Sequence, residues 1–153
     1  MFSGVTNINL DAKGRMAVPA RHRDLLSVIG VEQMMVTLAH HGNCLLIFPM
    51  PEWQVLEESL MKLSDLKQSA YQLKQILLGH ASQCAIDSNG RILIPPLLRE
   101  HVEIDKRASL VGMGNKLELW QEERWSAQRA ESLNQISKMD LEASEELAEL
   151  LTL

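Results

Sequence analysis

Two arginines stand directly after a glycine and four residues after an aspartate: Arg15 in "DAKGRMAVPARHR", residues 11–23, and Arg91 in "DSNGRILIPPLLR", residues 87–99. Asp11, Gly14, Arg15, Pro19 and Arg23 return 76 positions later as Asp87, Gly90, Arg91, Pro95 and Arg99. A tight turn accounts for part of this phrase. Aspartate bonds nearby backbone N–H groups and glycine takes positive φ, which gives Asp11, Asp87, Gly14 and Gly90 a place in two turns. A turn has no use for the arginine that follows it. Arg15 and Arg91 are expected to act outward, because an arginine carried on a turn can enter a major groove. There it pairs bidentately with guanine O6 and N7, a contact worth about 1–3 kcal/mol of discrimination. Lys13, Arg21 and Arg23, with Gly14 at the same contacting turn, are expected to meet phosphates, which position a protein without specifying sequence. Asp11 is expected to hold its turn, since a carboxylate facing phosphates is repelled; contact with cytosine N4 is the lesser role.

No second chemistry is visible. His40 and His41 adjoin before Gly42, and adjacent side chains in a loop rarely converge on one ion. His22, His80 and His101 have no Cys or His at ligand spacing, so no metal site is expected. Cys44 and Cys84 sit alone in separate apolar segments and are expected to be buried, reduced thiols. GxSxG, the phosphate-binding loop and paired carboxylates at strand ends are all missing from the sequence, so neither an enzyme nor a cofactor is expected.

The turns need strands on both sides, and the repeat supplies them. Thr6 and Leu10 match Ser82 and Ile86, and Met35-Val36-Thr37 matches Leu110-Val111-Gly112. Ile47-Phe48 matches Leu119-Trp120 and Trp53 matches Trp125 at a shift of 72, so the first copy has the longer loop. "TNINL" and "SQCAI" lead into the turns, "MAV" and "ILI" lead out of them, and Pro19 and Pro95 open short helices near 20–26 and 96–102. "MMVTL" with "CLLIF", and "ASLVG" with "KLELW", read as a second hairpin. Each copy is therefore β-β-α-β-β, over residues 5–50 and 81–125. Between them, in 51–79, Trp53, Leu56, Leu60 and Leu63, then Leu66, Ala70, Leu73 and Leu77, mark an apolar stripe on each of two helices, with Ser64-Asp65 at the break and Gly79 at the end. Both stripes should be covered. Residues 126–153 form an acidic helical tail.

The 153 residues carry a net charge of −5, unevenly distributed. Residues 1–48 hold four Lys/Arg against three Asp/Glu, whereas 126–153 hold two against six, so most of the acid is in the tail. No apolar run reaches the roughly 18 residues of a membrane span, and "MFSGVTNINLD" lacks the marks of a secretion signal. A soluble, cytoplasmic protein is expected.

The two phrases, "ILLGHASQC", the opening "MFSG" and the placement of Trp53 and Trp125 together resemble the MraZ family of bacterial regulators, over essentially residues 1–125. That resemblance implies an α+β, mostly β fold: two pseudo-symmetric swapped-hairpin, AbrB-like β-barrel repeats with connecting and peripheral helices. It implies that Asp11 with Arg15, and Asp87 with Arg91, are the family signature. It also implies a nucleoid-associated partner of double-stranded promoter DNA, acting as a ring-like homo-oligomer on direct repeats and repressing its own promoter and the adjoining division and cell-wall cluster. Because Asn89 and Leu97 replace Lys13 and Arg21, the first copy should dominate. The rival reading is an antitoxin-like interaction module whose acidic tail takes a protein partner.

Overall fold

The computed structural model of the chain describes residues 1–152. Its fold is α+β, with its strands paired antiparallel. Each copy presents the expected order: β1 (Val5–Asn9), β2 (Arg15–Ala17), α1 (Ala20–Val28), β3 (Gln33–Leu38) and β4 (Leu45–Pro49) in the first. The helices α2 (Met50–Met61) and α3 (Gln68–Leu77) follow. The second copy runs β5 (Ser82–Ala85), β6 (Arg91–Leu93), α4 (Pro96–His101), β7 (Arg107–Gly112) and β8 (Leu117–Gln121). Pro19 and Pro95 each stand one place before their helix, as its cap residue, and Pro96 is the first helical residue of α4.

The copies exchange strands. β3 pairs with β4 and β7 with β8, as the sequence suggests, but β1 pairs with β7 and β5 with β3, each across to the other copy. The strands flanking each turn separate once the turn is closed, so they make no hairpin of their own. β2 and β6 pair only with each other, through Arg15↔Leu93, Met16↔Ile92 and Ala17↔Arg91. The expected closed barrel is not formed. The main sheet is open, in the order β1-β7-β8-β4-β3-β5, because β2 and β6, which continue from its two edge strands, leave it to make a separate two-stranded ribbon.

Sheet and ribbon enclose one core in which Met16, Val36, Leu45, Ile47, Ile92, Ile94, Leu110 and Leu119 are fully buried. At Gly112 the N-terminal segment crosses so closely that a Cβ would stand 2.3 Å from the backbone nitrogen of Ser3, while Phe2 and Gly114 exchange two 2.8 Å backbone bonds. The helical stripes are only partly covered. Trp53, Leu60, Ala70 and Leu77 are buried, but Leu63 and Leu66 fall in the link between α2 and α3, and Leu66 is 97% exposed. Ser64 caps no helix: its hydroxyl accepts from Leu66 N–H, and Asp65 pairs with Lys74 Nζ at 2.8 Å. Gly79 N–H closes the end of α3 on Lys74 O.

A second compact unit begins at Glu123. It contains most of α5 (Glu122–Lys138) and α6 (Glu145–Leu151), with Ser144 Oγ accepting from Leu147 N–H at the start of α6.

Ile92 stands directly across from Met16 of the other copy, and both are fully buried. Ile92→Ala should therefore cost about 2–5 kcal/mol of folding stability. Urea unfolding checks this; a loss near zero would mean that the ribbon is not seated on the core.

Candidate nucleic-acid interface

The two turns are built alike. In the first, Asp11 N–H donates to Arg15 O and Gly14 N–H to Asp11 O, with Gly14 at φ +84°. Asp11 Oδ1 accepts from the backbone N–H of Lys13 and of Arg15, both at 2.9 Å, while Oδ2 accepts from Arg15 Nε at 2.6 Å. In the second, Asp87 Oδ1 accepts from Asn89 and Arg91 N–H at 2.9 Å, Oδ2 accepts from Arg91 Nε at 3.2 Å, and Gly90 has φ +72°. Each aspartate thus shapes its turn and orients its own arginine. Arg91 Nη1 also lies 3.8 Å from Asp11 Oδ2, which ties the two turns together.

These contacts hold Asp11 charged. Its carboxyl is lowered to about 2, chiefly by the backbone N–H of Arg15 and, against some loss of hydration, by the Arg15 side chain and Lys13 N–H. Asp87 is lowered by the same contacts from Arg91 and Asn89. The arginines are consequently not free. Arg15, expected to act outward, has a side chain that is 31% exposed and ion-paired.

Because cross-strand partners share a face, Arg15, Ala17, Arg91 and Leu93 line the outer side of the ribbon, and Met16 and Ile92 the inner. The other expected contacts part company. Lys13 is exposed at the tip of the first turn. Arg21 donates from Nη2 to Thr6 Oγ1 at 2.8 Å, beside β1 and away from the turn. Arg23 lies over the turn of the other copy, where a Cβ at Gly90 would stand 2.5 Å from its Cδ. Reciprocally, Arg99 lies over Gly14, where a Cβ would stand 2.5 Å from its Cζ, and donates from Nε to Ile94 O. Arg99 was not among the expected contacts. Its equivalence to Arg23 was the available signal, and strand exchange is what moves it to the first turn.

His22 is buried edge-on to Phe2, with Nε2 unpartnered among the described residues; burial lowers its pKa, and Arg21 and the N-terminus add to the effect. His41, Cys44 and Glu118 bring donor atoms within 4.8 Å of one another, a grouping invisible in sequence because Glu118 comes from β8. Two of these side chains also hold local contacts. His41 Nδ1 accepts from Asn43 N–H, Glu118 Oε1 accepts from Trp120 Nε1, and burial, then Glu118, push the Cys44 thiol up, away from the thiolate a metal requires.

Two interleaved copies meeting in an arginine-bearing ribbon define a class: a swapped-strand protein whose pseudo-dyad lies within one chain. A family profile described as "MraZ protein, putative antitoxin-like" matches residues 1–75 and again 77–148. A protein of Halorhodospira halophila named "Transcriptional regulator MraZ" is 45% identical over 150 residues, 98% of this chain and 99% of that one. Its namesake in Thiobacillus denitrificans is 49% identical over 134 residues, 88% and 90% of the two chains, and that of Shewanella denitrificans 45% over 149, 97% and 98%. The chain belongs to the MraZ family.

A carboxyl lowered on folding contributes stability that is complete above its ordinary value of 3.8 and is lost as pH falls through about 2. The Asp11 carboxyl resonance should accordingly titrate near 2 in the folded protein. Arg15→Ala keeps the backbone N–H, the largest cause, and should return the midpoint only part of the way to 3.8. A wild-type midpoint at 3.8 would contradict the clamp.

Proposed function

We propose that this protein is a DNA-binding transcriptional regulator that reads guanine with Arg15 and Arg91. The outer face of the β2–β6 ribbon carries the proposal. A two-stranded ribbon fits a major groove about 12 Å wide, and both arginines stand on the face that would enter it. With Nε turned to an aspartate, Arg15 keeps its terminal Nη groups for the O6 and N7 of guanine, whereas Arg91 must also release the 3.8 Å approach of its Nη1 to Asp11 Oδ2. Lys13 and Arg99 flank the first arginine and Arg23 the second, positions from which each reaches phosphate. Arg21, beside β1, makes a more distant phosphate contact. The names of the relatives support the regulatory part of this reading.

The target is a set of guanine-rich direct repeats at the protein's own promoter, and occupation represses that promoter and the adjoining division and cell-wall cluster. Binding takes place in the cytoplasm, at the nucleoid; no helix among the described residues is long and apolar enough to cross a membrane. The chain binds as a ring-like homo-oligomer. Val55, Met61, Leu63, Leu66 and Tyr71 leave an apolar surface on and between α2 and α3 for a second copy to cover. In a closed ring every subunit faces DNA in the same sense, which selects direct repeats over palindromes. Linked sites add on the order of 10²–10⁴ in affinity, enough for a chain of charge −5 to hold a polyanion.

A second reading has its own observation. In the second unit Leu133, Ile136, Met139, Leu150 and Leu151 are exposed in an acidic context, a surface for a protein partner of the antitoxin-like kind. Removing residues 126–153 should then leave DNA binding unchanged; its loss would make the tail part of the DNA-binding assembly.

Arg15→Ala should weaken binding to the upstream DNA by at least about 5-fold, the lower end of a bidentate guanine contact, with folding and hydrodynamic mass unchanged. Arg91→Ala, in the turn without a lysine, should cost less. Inserting about five base pairs, half a turn, between successive repeats should lower affinity sharply, since repeats spaced about 10–10.5 base pairs lie on one side of the duplex. Undiminished binding would rule out phased reading by a ring.

A further inference from the structure

Four side chains occupy the outer face of the ribbon, and only two are cations. The register places Leu93 directly across from Arg15 and Ala17 directly across from Arg91. Direct cross-strand partners have Cβ atoms roughly 4.5–5.5 Å apart, so each arginine has an apolar neighbour at its side. Leu93 is 50% exposed, although its strand neighbours Ile92 and Ile94 are fully buried and the core takes nothing from it. A single exposed leucine is unremarkable by itself. Its position distinguishes it: it shares a three-residue strand with Arg91 and a face with Arg15, on the surface that would meet the base edges. The C5-methyl of thymine is the apolar group that base edges present in the major groove.

We propose that Leu93 forms a thymine-methyl subsite beside Arg15, so that this cross-strand pair reads a guanine and a neighbouring thymine together. The inference rests on the DNA-binding reading above. Ala17, the repeat counterpart of Leu93, offers Arg91 a single methyl, too short to enclose a thymine methyl as Leu93 does. The two halves of the ribbon therefore discriminate unequally. Arg15 with Leu93 distinguishes guanine plus thymine, whereas Arg91 with Ala17 distinguishes guanine and accepts several neighbours. The inequality lies in apolar contact as well as in charge, and a count of basic residues does not reveal it.

The test measures affinity of the full-length protein for duplex DNA from just upstream of its own start codon. Each thymine is replaced in turn by deoxyuridine, which removes only the methyl, and each guanine by 7-deazaguanine, which removes N7. For the wild type, at least one thymine should lose about three- to fivefold on losing its methyl, the effect of one buried methyl, and it should neighbour a guanine that is sensitive to loss of N7. Leu93→Ala should abolish the thymine-over-uracil difference and keep the guanine sensitivity. Ala17→Leu should create a new thymine preference at a second position. Sensitivity to N7 with no methyl effect, or a methyl effect that survives Leu93→Ala, overturns the subsite and leaves the guanine reading standing. Insensitivity to N7 throughout overturns both. A change of hydrodynamic mass in Leu93→Ala would make Leu93 a contact between copies and likewise overturn the proposal.

Discussion

Neither copy can satisfy the hydrogen-bonding groups of its own short strands. Two three-residue strands, β2 and β6, have only each other as ladder partners, and β1 and β5 lie against β7 and β3 of the opposite copy. Buried backbone N–H and C=O groups left unpaired each cost about as much as a lost hydrogen bond, so the copies must interleave. Interleaving brings residues 76 apart in sequence to one ribbon, and it exchanges Arg23 and Arg99 between turns. The surface carrying the arginines therefore exists only in the paired fold.

The aspartates show how such a surface tolerates its own charge. Arg15 and Arg91 lie on one small face, and both approach Asp11 Oδ2, at 2.6 and 3.8 Å. Without an anion between them they would repel. Asp11 prevents this while fixing the Nε of Arg15, so in the proposed base contact the side chain would lose less rotamer freedom. The same carboxylate opposes phosphate, which limits unspecific attraction. The arrangement favours geometry over net charge, as suits a chain whose overall sign is negative.

The repeat was legible because its residues answer to strict local demands: Gly14 and Gly90 take positive φ, and Asp11 and Asp87 each accept three hydrogen bonds within five residues. The second hairpin of each copy and the helices after Pro19 and Pro95 were legible for similar reasons. Partners distant in sequence were not. Alternation in "TNINL" and "MAV" marks strands without saying what they pair with, and an adjacent hairpin is the default that exchange overrides. The open sheet follows from the same exchange. Leu63 and Leu66 continued two helical periods on paper, but the link between α2 and α3 falls on them and leaves both exposed. Arg21 and Arg23 are separated by one residue, yet α1 aims one toward Thr6 and the other toward Gly90.

Joining the copies in one chain has a consequence that a symmetric dimer lacks. In a dimer of identical single copies every substitution in the ribbon occurs twice, so the two arginines must have identical neighbours. Here Lys13 corresponds to Asn89, and Ala17 to Leu93, across a pseudo-dyad that constrains backbone and not side chains. The demands that remain equal in both copies are those of the turn: the aspartate, the glycine at positive φ and the arginine held by Nε. Neighbours such as Lys13 and Ala17 are free to differ from their counterparts. A symmetric dimer suits a palindrome, whereas a ribbon with unequal halves has a direction, and identical subunits set head to tail repeat that direction. Divergence between the copies and the proposed preference for direct repeats would thus be two expressions of one constraint, the covalent link that makes a pseudo-dyad out of a dyad.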